Sequence, residues 1–182
     1  MVDPSTGDAT AAVCQTPANQ ATWGTPNATI MGDSIMGLPT SAGIACYETA
    51  ISLGASGAYS GETDTVEALD WTDTAHPFLS FANGNGSEAP VDQNCYLSPD
   101  GSQMACTASS NGALTLVSSG GTTTNTGRTY NGILGWIDAA HLLVEVDPGD
   151  LGVLDPSTGL LTTLAIPQAN QVEMLATLPG AL

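Results

Sequence analysis

The sequence predicts an all-β fold in which short antiparallel strands form repeated four-stranded meanders. Three observations lead to this prediction. The 182 residues include 21 glycines and 11 prolines, a content typical of chains with many turns rather than of helical bundles. No stretch long enough for a globular helix has the apolar spacing of an amphipathic one. Apolar pairs recur instead at a fixed distance along the chain, as expected for repeated hairpins.

Length and composition favour one domain that spans residues 1–182. Apolar residues make up 42% of the chain, which is enough for one core. A domain of this length buries roughly 70% of the surface that its unfolded chain exposes. We therefore expect a single all-β domain, either complete or a fragment of a larger one.

The clearest internal repeat aligns residues 71–79 with residues 136–144. Trp, Asp, Ala and His match without gaps, and in both copies a pair of apolar residues follows the tryptophan at the same distance. A similar pair follows Trp23 and Leu97. We expect each unit to be a strand, a tight polar turn and a second strand. The three tryptophans of these units would then pack in the core between hairpins.

A second repeat marks the turns. The run Asp-Pro-Ser-Thr-Gly occurs at positions 3–7 and again at positions 155–159. Asp-Pro with a glycine shortly after it suits a turn between two strands. The second copy follows the Trp136 unit directly and so completes a meander. The four strands of that meander are predicted over residues 133–137, 141–146, 151–154 and 160–166.

The cysteines predict two disulfides. An Asp-Gly pair at positions 100–101 is a strong hairpin signal, and a hairpin centred there places Cys95 directly opposite Cys106. Cys14 and Cys46 are left to form the second pair. Buried unpaired thiols are the alternative. A metal site is disfavoured, because the chain has no Cys-x-x-Cys and neither histidine lies near a cysteine in sequence.

Paired cysteines would place the protein in an oxidising compartment. We therefore expect an extracellular or cell-envelope location. The first residues carry neither a basic region nor an apolar run, so a signal peptide is not visible in this chain.

Two features resemble the WD40-like repeats of the TolB family of β-propellers. The first is the Ser-Pro-Asp-Gly run at positions 98–101, and the second is the Trp136 hairpin with its Leu-Asp-Pro-Ser-Thr-Gly turn. The resemblance is clearest over residues 95–166 and weaker around Trp23 and Trp71. It implies a small or partial β-propeller, with an irregular β-sandwich as the alternative architecture. It also implies a non-catalytic binding or scaffold module for protein–protein interaction or ligand sensing, with a protein or small ligand as partner.

The repeat is irregular in two places. Hairpin units that start at positions 23, 71, 97 and 136 are separated by 48, 26 and 39 residues, whereas a blade needs about 40. The 26-residue interval is too short for four strands, which predicts a truncated or irregular blade. Residues 37–64 are rich in glycine and match no unit, so we expect an irregular sheet or a binding loop there.

One alternative function is catalytic. Residues 30–37 resemble the nucleophile block of GDSL/SGNH hydrolases, and Asp73 and His76 match the Asp-x-x-His of that family. The resemblance implies a serine esterase in which Ser34 attacks, His76 is the general base and Asp73 fixes the histidine tautomer. However, that fold needs β-α-β units, and a second Asp-x-x-His, at positions 138–141, occupies the equivalent place in its hairpin. We therefore interpret both runs as turn elements and predict no catalytic residue.

The charge of the chain excludes several classes of partner. The sequence has 18 acidic residues and one basic residue, Arg128, which gives a formal net charge of -17. Binding to nucleic acids or to anionic membranes needs clustered Lys and Arg, so neither is predicted. No apolar run reaches the roughly 18 residues of a membrane-spanning helix.

Few side chains remain for a ligand site. Arg128 lies in a polar loop, and we interpret it either as a solvated arginine or as the partner of a buried acid or an anionic ligand. The acidic group at positions 145–155 lacks the spacing of a calcium loop, so no metal and no cofactor is predicted. A last alternative is a structural subunit of a larger assembly whose partner covers open sheet edges.

Overall fold

The described part of the chain is built from β-strands and contains no helix. The computed structural model describes residue 14 and residues 21–72, 74–83, 94–108 and 110–165. Within these residues, twelve strands form three four-stranded antiparallel sheets. The prediction of an all-β fold made of four-stranded meanders is therefore confirmed.

Each sheet is a meander in which strands adjacent in sequence are hydrogen-bonded neighbours. Sheet 1 consists of β1 (Thr29–Thr40), β2 (Gly43–Leu53), β3 (Tyr59–Leu69) and β4 (Ala75–Asn83). Sheet 2 consists of β5 (Asn94–Leu97), β6 (Gln103–Thr107), β7 (Ala113–Ser118) and β8 (Thr123–Thr129). Sheet 3 consists of β9 (Gly132–Trp136), β10 (Leu142–Asp147), β11 (Asp150–Asp155) and β12 (Leu160–Thr163). The strands of sheet 3 overlap those predicted for the Trp136 meander.

Sheet 2 lies between the other two sheets, and its strands β5, β6 and β7 are covered on both faces, whereas β8 is exposed. Side chains on a strand alternate between the two faces of its sheet. On β5, Cys95 and Leu97 pack against sheet 1, whereas Tyr96 between them packs against sheet 3. On β6, Met104 faces sheet 1 and Ala105 faces sheet 3. Strands β5, β6 and β7 carry apolar residues on both faces for this reason.

Two apolar clusters hold the three sheets together. Core cluster 1 joins sheets 1 and 2, and core cluster 2 joins sheets 2 and 3. The buried residues of core cluster 1 are Met36, Ala45, Tyr47, Val66, Ala68, Phe78, Cys95, Leu97, Met104, Cys106 and Val117. Those of core cluster 2 are Ala105, Leu114, Tyr130, Ile133, Trp136, Leu142, Val144 and Leu154. The first strands of successive sheets also lie side by side, because β1 contacts β5 and β5 contacts β9.

The turn between β5 and β6 has the predicted Ser-Pro-Asp-Gly geometry. Asp100 Oδ1 accepts hydrogen bonds from the hydroxyls of Ser98 (2.7 Å) and Ser102 (2.9 Å). Gly101 has a φ of 71°, a left-handed conformation that glycine adopts readily. Local side-chain chemistry therefore sets this turn and, through it, the register of the hairpin.

Both predicted cysteine pairs lie at disulfide distance. Cys95 and Cys106 are partners in the β5–β6 register, with a Cα–Cα distance of 4.0 Å. Cys14 and Cys46 have a Cα–Cα distance of 5.6 Å. The first pair links two neighbouring strands of sheet 2, whereas the second attaches the chain before β1 to β2.

The Trp71 and Trp136 units are each a strand, a turn and a second strand, as predicted, but they occupy different places in their sheets. Trp136 ends β9 and precedes the first turn of sheet 3, whereas Trp71 lies in the third turn of sheet 1, between β3 and β4. The interval of 26 residues therefore runs from the third turn of sheet 1 to the first strand of sheet 2. It does not mark a shortened unit, because both sheets have four strands. Residues 37–64 are regular as well, since they contain most of the long central strands of sheet 1.

The predicted core role of the tryptophans holds for Trp136 alone. Trp136 is 3% exposed, whereas Trp23 is 63% exposed and lies in a turn before β1. Trp71 is half-buried, and its indole N–H donates to the carbonyls of Thr40 and Ser41. The same local spacing therefore does not determine how deeply a side chain is buried. The first Asp-Pro-Ser-Thr-Gly run, at positions 3–7, lies outside the described residues.

Candidate functional site

The structure does not bring Ser34 and His76 together. Ser34 lies on β1 opposite Tyr47, and His76 lies on β4 opposite Ala68. Three strand spacings separate β1 from β4, which is about 14 Å at the usual distance between strands. A serine nucleophile and its general base must lie within hydrogen-bond reach of each other. Asp73, the third residue of the esterase alternative, lies outside the described residues.

His76 is bound by a different aspartate. Its Nε2 lies 2.8 Å from Asp70 Oδ2, within the turn that joins β3 to β4. Asp70 Oδ1 also accepts hydrogen bonds from the backbone N–H groups of Thr72 and Thr74. The Thr72 hydroxyl donates to Asp70 as well. Its hydrogen bond, and then that of His76, lower the pKa of Asp70 well below its usual value. The pair therefore orders a turn.

The second histidine has the same role in sheet 3. His141 Nδ1 lies 2.8 Å from Asp138 Oδ2 in the turn between β9 and β10. Asp138 Oδ1 also accepts hydrogen bonds from the backbone N–H groups of Ala140 and His141. Partial burial raises the pKa of Asp138, but these hydrogen bonds outweigh burial and lower it overall. This geometry matches a turn aspartate that holds its histidine.

A partly open cavity lined by Arg128 is a candidate site among the described residues. Its volume is about 310 Å³, and it lies between the last strand of sheet 2 and sheet 3. Strand β8 contributes Thr124, Thr126 and Arg128 to one wall. The β11–β12 turn, residues 156–159, contributes the opposite wall, and Leu154 of core cluster 2 also lines the cavity. The packing of sheet 3 on sheet 2 therefore fixes the two walls relative to each other.

A bulge in β8 directs Arg128 out of the sheet. Asn125 pairs with Thr115 and Thr129 pairs with Ala113, so three residues of β8 stand opposite Leu114 alone. Inside the bulge, the Gly127 N–H donates to Asn125 Oδ1 (2.8 Å), and the Thr126 hydroxyl donates to the Leu114 carbonyl (2.9 Å). Bulges of this kind often re-aim a side chain near a functional site.

The β11–β12 turn is organised by Asp155. Its carboxylate accepts hydrogen bonds from both the N–H and the hydroxyl of Ser157 (2.9 and 2.7 Å). It accepts two more from the N–H and the hydroxyl of Thr158 (3.2 and 2.7 Å). The Gly159 N–H donates to the Asp155 carbonyl (2.8 Å). The hydrogen bonds from Ser157 and then Thr158 lower the pKa of Asp155 to about 2.

Arg128 lies directly against Gly159. A Cβ atom on Gly159 would come within 3.0 Å of Arg128 Nη2 and 3.1 Å of Nε, so a larger residue at this position would push the guanidinium aside. Arg128 is the one Lys or Arg in the sequence, and it forms no salt bridge with a carboxylate of the described residues. Arg128 is exposed, and its guanidinium lies beside the cavity without a carboxylate partner among the described residues.

The sequence singled out Arg128 and the 155–159 turn, but separately. Nothing in the sequence indicated that they form two walls of one cavity. The nearest local signals are Asn125 followed by Gly127, which marks the bulge, and Gly159, which accommodates the guanidinium. Of the acidic group at 145–155, Glu145 accepts a hydrogen bond from the Gly149 N–H (3.0 Å). The described residues contain no group of three or more side chains that could hold a metal ion.

Comparisons with known proteins supply no family assignment. No protein-family model matches the chain, and a search of curated proteins finds no match. Within the part of the chain that the structure describes, no helix is long and apolar enough to cross a membrane.

Proposed function

We propose that the chain is a non-catalytic binding or scaffold module built from three consecutive propeller-type blades. The observation that carries this proposal is the stacking of the three sheets. Each is a four-stranded meander, strands β5, β6 and β7 of sheet 2 are covered on both faces, and the first strands of successive sheets lie side by side. Blades of a propeller pack in the same way around a common axis.

A stack of this kind is suited to binding through its turns and edges. The core clusters fix the sheets, so the turns are presented at defined positions on a rigid support. The polar β8 edge and the hydrogen-bonded turns at Asp70, Asp138 and Asp155 are such surfaces. We propose a protein or a small ligand as the partner.

We further propose that the module works outside the cell or in the cell envelope. The two cysteine pairs at disulfide distance support this location, because disulfides persist in oxidising compartments. Trapping thiols by acid quench and alkylation in the native host would test it. We expect the four cysteines to resist alkylation until a reductant is added. Free thiols in the quenched sample would overturn the proposed location.

Hydrolysis assays separate this proposal from the esterase alternative. We expect p-nitrophenyl acetate to be hydrolysed no faster with wild type or with Ser34→Ala than in buffer alone. Hydrolysis that depends on Ser34 would overturn the non-catalytic assignment.

Hydrogen exchange tests the stacking itself. Amides of β6 and β7 should exchange most slowly, because these two strands are covered on both faces, and those of the edge strands β4 and β12 should exchange faster. Equal protection in all three sheets would argue against a central sheet 2. Sedimentation over a range of concentrations would show whether the chain also assembles with copies of itself through sheet edges.

A further inference from the structure

We propose that the Arg128 cavity binds a small hydroxylated carboxylate, of which one acidic sugar unit is the chemical type. This inference rests on the proposed binding function, for which it names a ligand class and a site. At about 310 Å³, the cavity has the size of the smallest ligand pockets and can hold one such unit.

The first argument is charge. Arg128 is the chain's single Lys or Arg, yet it forms no salt bridge within the described residues. The carboxylate on the turn facing it, Asp155, accepts four hydrogen bonds from Ser157 and Thr158. The Asp155 carboxylate therefore makes its hydrogen bonds within its own turn and not with Arg128. The guanidinium therefore retains its donors for an external acceptor.

The second argument is the shape of the anion. A phosphate or sulfate is usually bound by several convergent backbone N–H groups. Here the N–H groups of Ser157, Thr158 and Gly159 already donate to Asp155. Only the planar guanidinium remains, and its parallel N–H groups match the two oxygens of a carboxylate. The net charge of -17 further disfavours a doubly charged anion over a singly charged one.

The third argument is the rest of the lining. The hydroxyls of Ser157 and Thr158 donate to Asp155, so toward a ligand they can only accept, and the Thr158 oxygen already accepts one hydrogen bond from the Leu160 N–H. The Thr126 hydroxyl likewise donates to the Leu114 carbonyl, and its oxygen accepts the Arg128 backbone N–H (3.3 Å), which leaves it one lone pair. Walls rich in acceptors favour a ligand that brings its own donors, and sugar hydroxyls are such donors. The ring of Pro156 adds an apolar surface of the kind that a sugar's C–H face contacts.

A titration followed by ¹H–¹⁵N NMR on the full chain tests the proposal. The probes are D-glucuronate, D-glucose, acetate and sodium sulfate. For wild type, we expect saturable shifts with glucuronate at millimolar concentration, confined to the amides of residues 124–128, 154–155 and 157–159. Glucose lacks the carboxylate and acetate lacks the hydroxyls, so both should bind at least several-fold more weakly.

Three variants locate the effect. Arg128→Gln should weaken glucuronate binding by about ten-fold or more, since it removes a charged hydrogen-bonding partner. Gly159→Ala should also weaken binding while keeping the charge, because its methyl group would displace the guanidinium and because the φ of 72° at this position strains the turn of the variant. Ser56→Asp, at an exposed turn of sheet 1, lowers the net charge by one as Arg128→Gln does, and should leave binding within about two-fold. Unchanged shifts elsewhere would show that each variant is folded.

Several outcomes would overturn the proposal. They are no saturable shift with glucuronate, glucose binding as tight as glucuronate, acetate binding as tight as glucuronate, tighter binding of sulfate, and equal binding by Arg128→Gln. None of these bears on the hydrolysis, thiol-trapping or exchange experiments. Failure of the ligand assignment is therefore distinguishable from failure of the proposed function.

Discussion

The indole nitrogen of Trp136 donates a hydrogen bond of 2.7 Å to the backbone carbonyl of Tyr96. This hydrogen bond joins β9, the first strand of sheet 3, to β5, the first strand of sheet 2. The ring itself is buried in core cluster 2. One side chain therefore supplies both apolar contact and a directional bond between two sheets.

Substitution of Trp136 should separate these two contributions. Trp136→Phe leaves the Tyr96 carbonyl without its partner and should lower the free energy of unfolding by about 1–3 kcal/mol. Trp136→Ala also opens a cavity and should cost about 3–5 kcal/mol. Trp23→Ala is the matched control and should change stability by less than about 0.5 kcal/mol, because Trp23 is largely exposed. Urea unfolding measures all three, and a large loss for Trp23→Ala would contradict its placement.

The two disulfides should differ in accessibility to reductant. Cys95 and Cys106 are fully buried in core cluster 1, whereas Cys14 is only half-buried. We expect a thiol reductant under native conditions to open Cys14–Cys46 first, as measured by alkylation and mass spectrometry. The reverse order would contradict the burial of the β5–β6 pair.

Loss of either disulfide should destabilise the fold through the entropy of the unfolded chain. The sequence separations of 11 and 32 residues correspond to about 3 kcal/mol for Cys95–Cys106 and about 4 kcal/mol for Cys14–Cys46. Double Cys→Ala variants, compared by urea unfolding with the oxidised wild type, measure these losses. A loss below about 1 kcal/mol for the longer loop would contradict this account.

Three carboxylates on the outer face of sheet 1 should make the fold less stable at neutral pH. Asp33 and Glu48 are direct partners across β1 and β2, and Glu67 lies on the neighbouring strand β3. Burial, and then the charge of Asp33, raises the pKa of Glu48. Burial, and then the charges of Glu48 and Asp33, raises the pKa of Glu67. The folded chain therefore holds these protons more tightly than the unfolded chain.

It follows that the free energy of unfolding should fall as the pH rises from 4.5 through the raised pKa values. Glu48→Gln should increase stability at pH 7 and flatten this decline. Asp147→Asn changes the net charge equally at an exposed position of sheet 3 and serves as the control. Urea unfolding between pH 4 and pH 8 measures the slopes. Identical slopes for Glu48→Gln and wild type would refute the role of this group.

Asp155 should have the opposite pH dependence. Its pKa is lowered from 3.8 to about 2, so the stability it contributes is present above 3.8 and is lost as the pH falls through 2. Asp155→Asn should therefore be less stable than wild type at pH 7, and the two should converge near pH 2. Thermal unfolding across this range tests it, and a constant difference at every pH would count against the role of the carboxylate.

Local chemistry explains which parts of the fold were predictable. The β5–β6 hairpin follows from Asp100 and Gly101, whose side-chain hydrogen bonds and left-handed φ act within a few residues. The Cys95–Cys106 pair follows in turn from the register of that hairpin. Sheet 3 was predictable for the same reason, because its turns carry their own signals.

The stacking of the sheets was not predictable from such signals. Trp71 and Trp136 share a local motif, but one lies in a third turn and the other ends a first strand. Which face of each strand is covered depends on residues far away in sequence. The Arg128 cavity has the same character, since its walls belong to different sheets and meet only when core cluster 2 forms.

The position of Arg128 also determines how proteases can act on the molecule. Trypsin cleaves after Lys and Arg, so this sequence offers it one site, on the exposed bulge of β8. A cut there divides the chain into residues 1–128, which keep sheet 1, most of sheet 2 and both disulfides, and residues 129–182, which carry sheet 3. No disulfide would connect the two fragments, so they would remain together only through core cluster 2 and the bonds around it. Native tryptic digestion is therefore a single-hit probe of how firmly the third sheet adheres to the second.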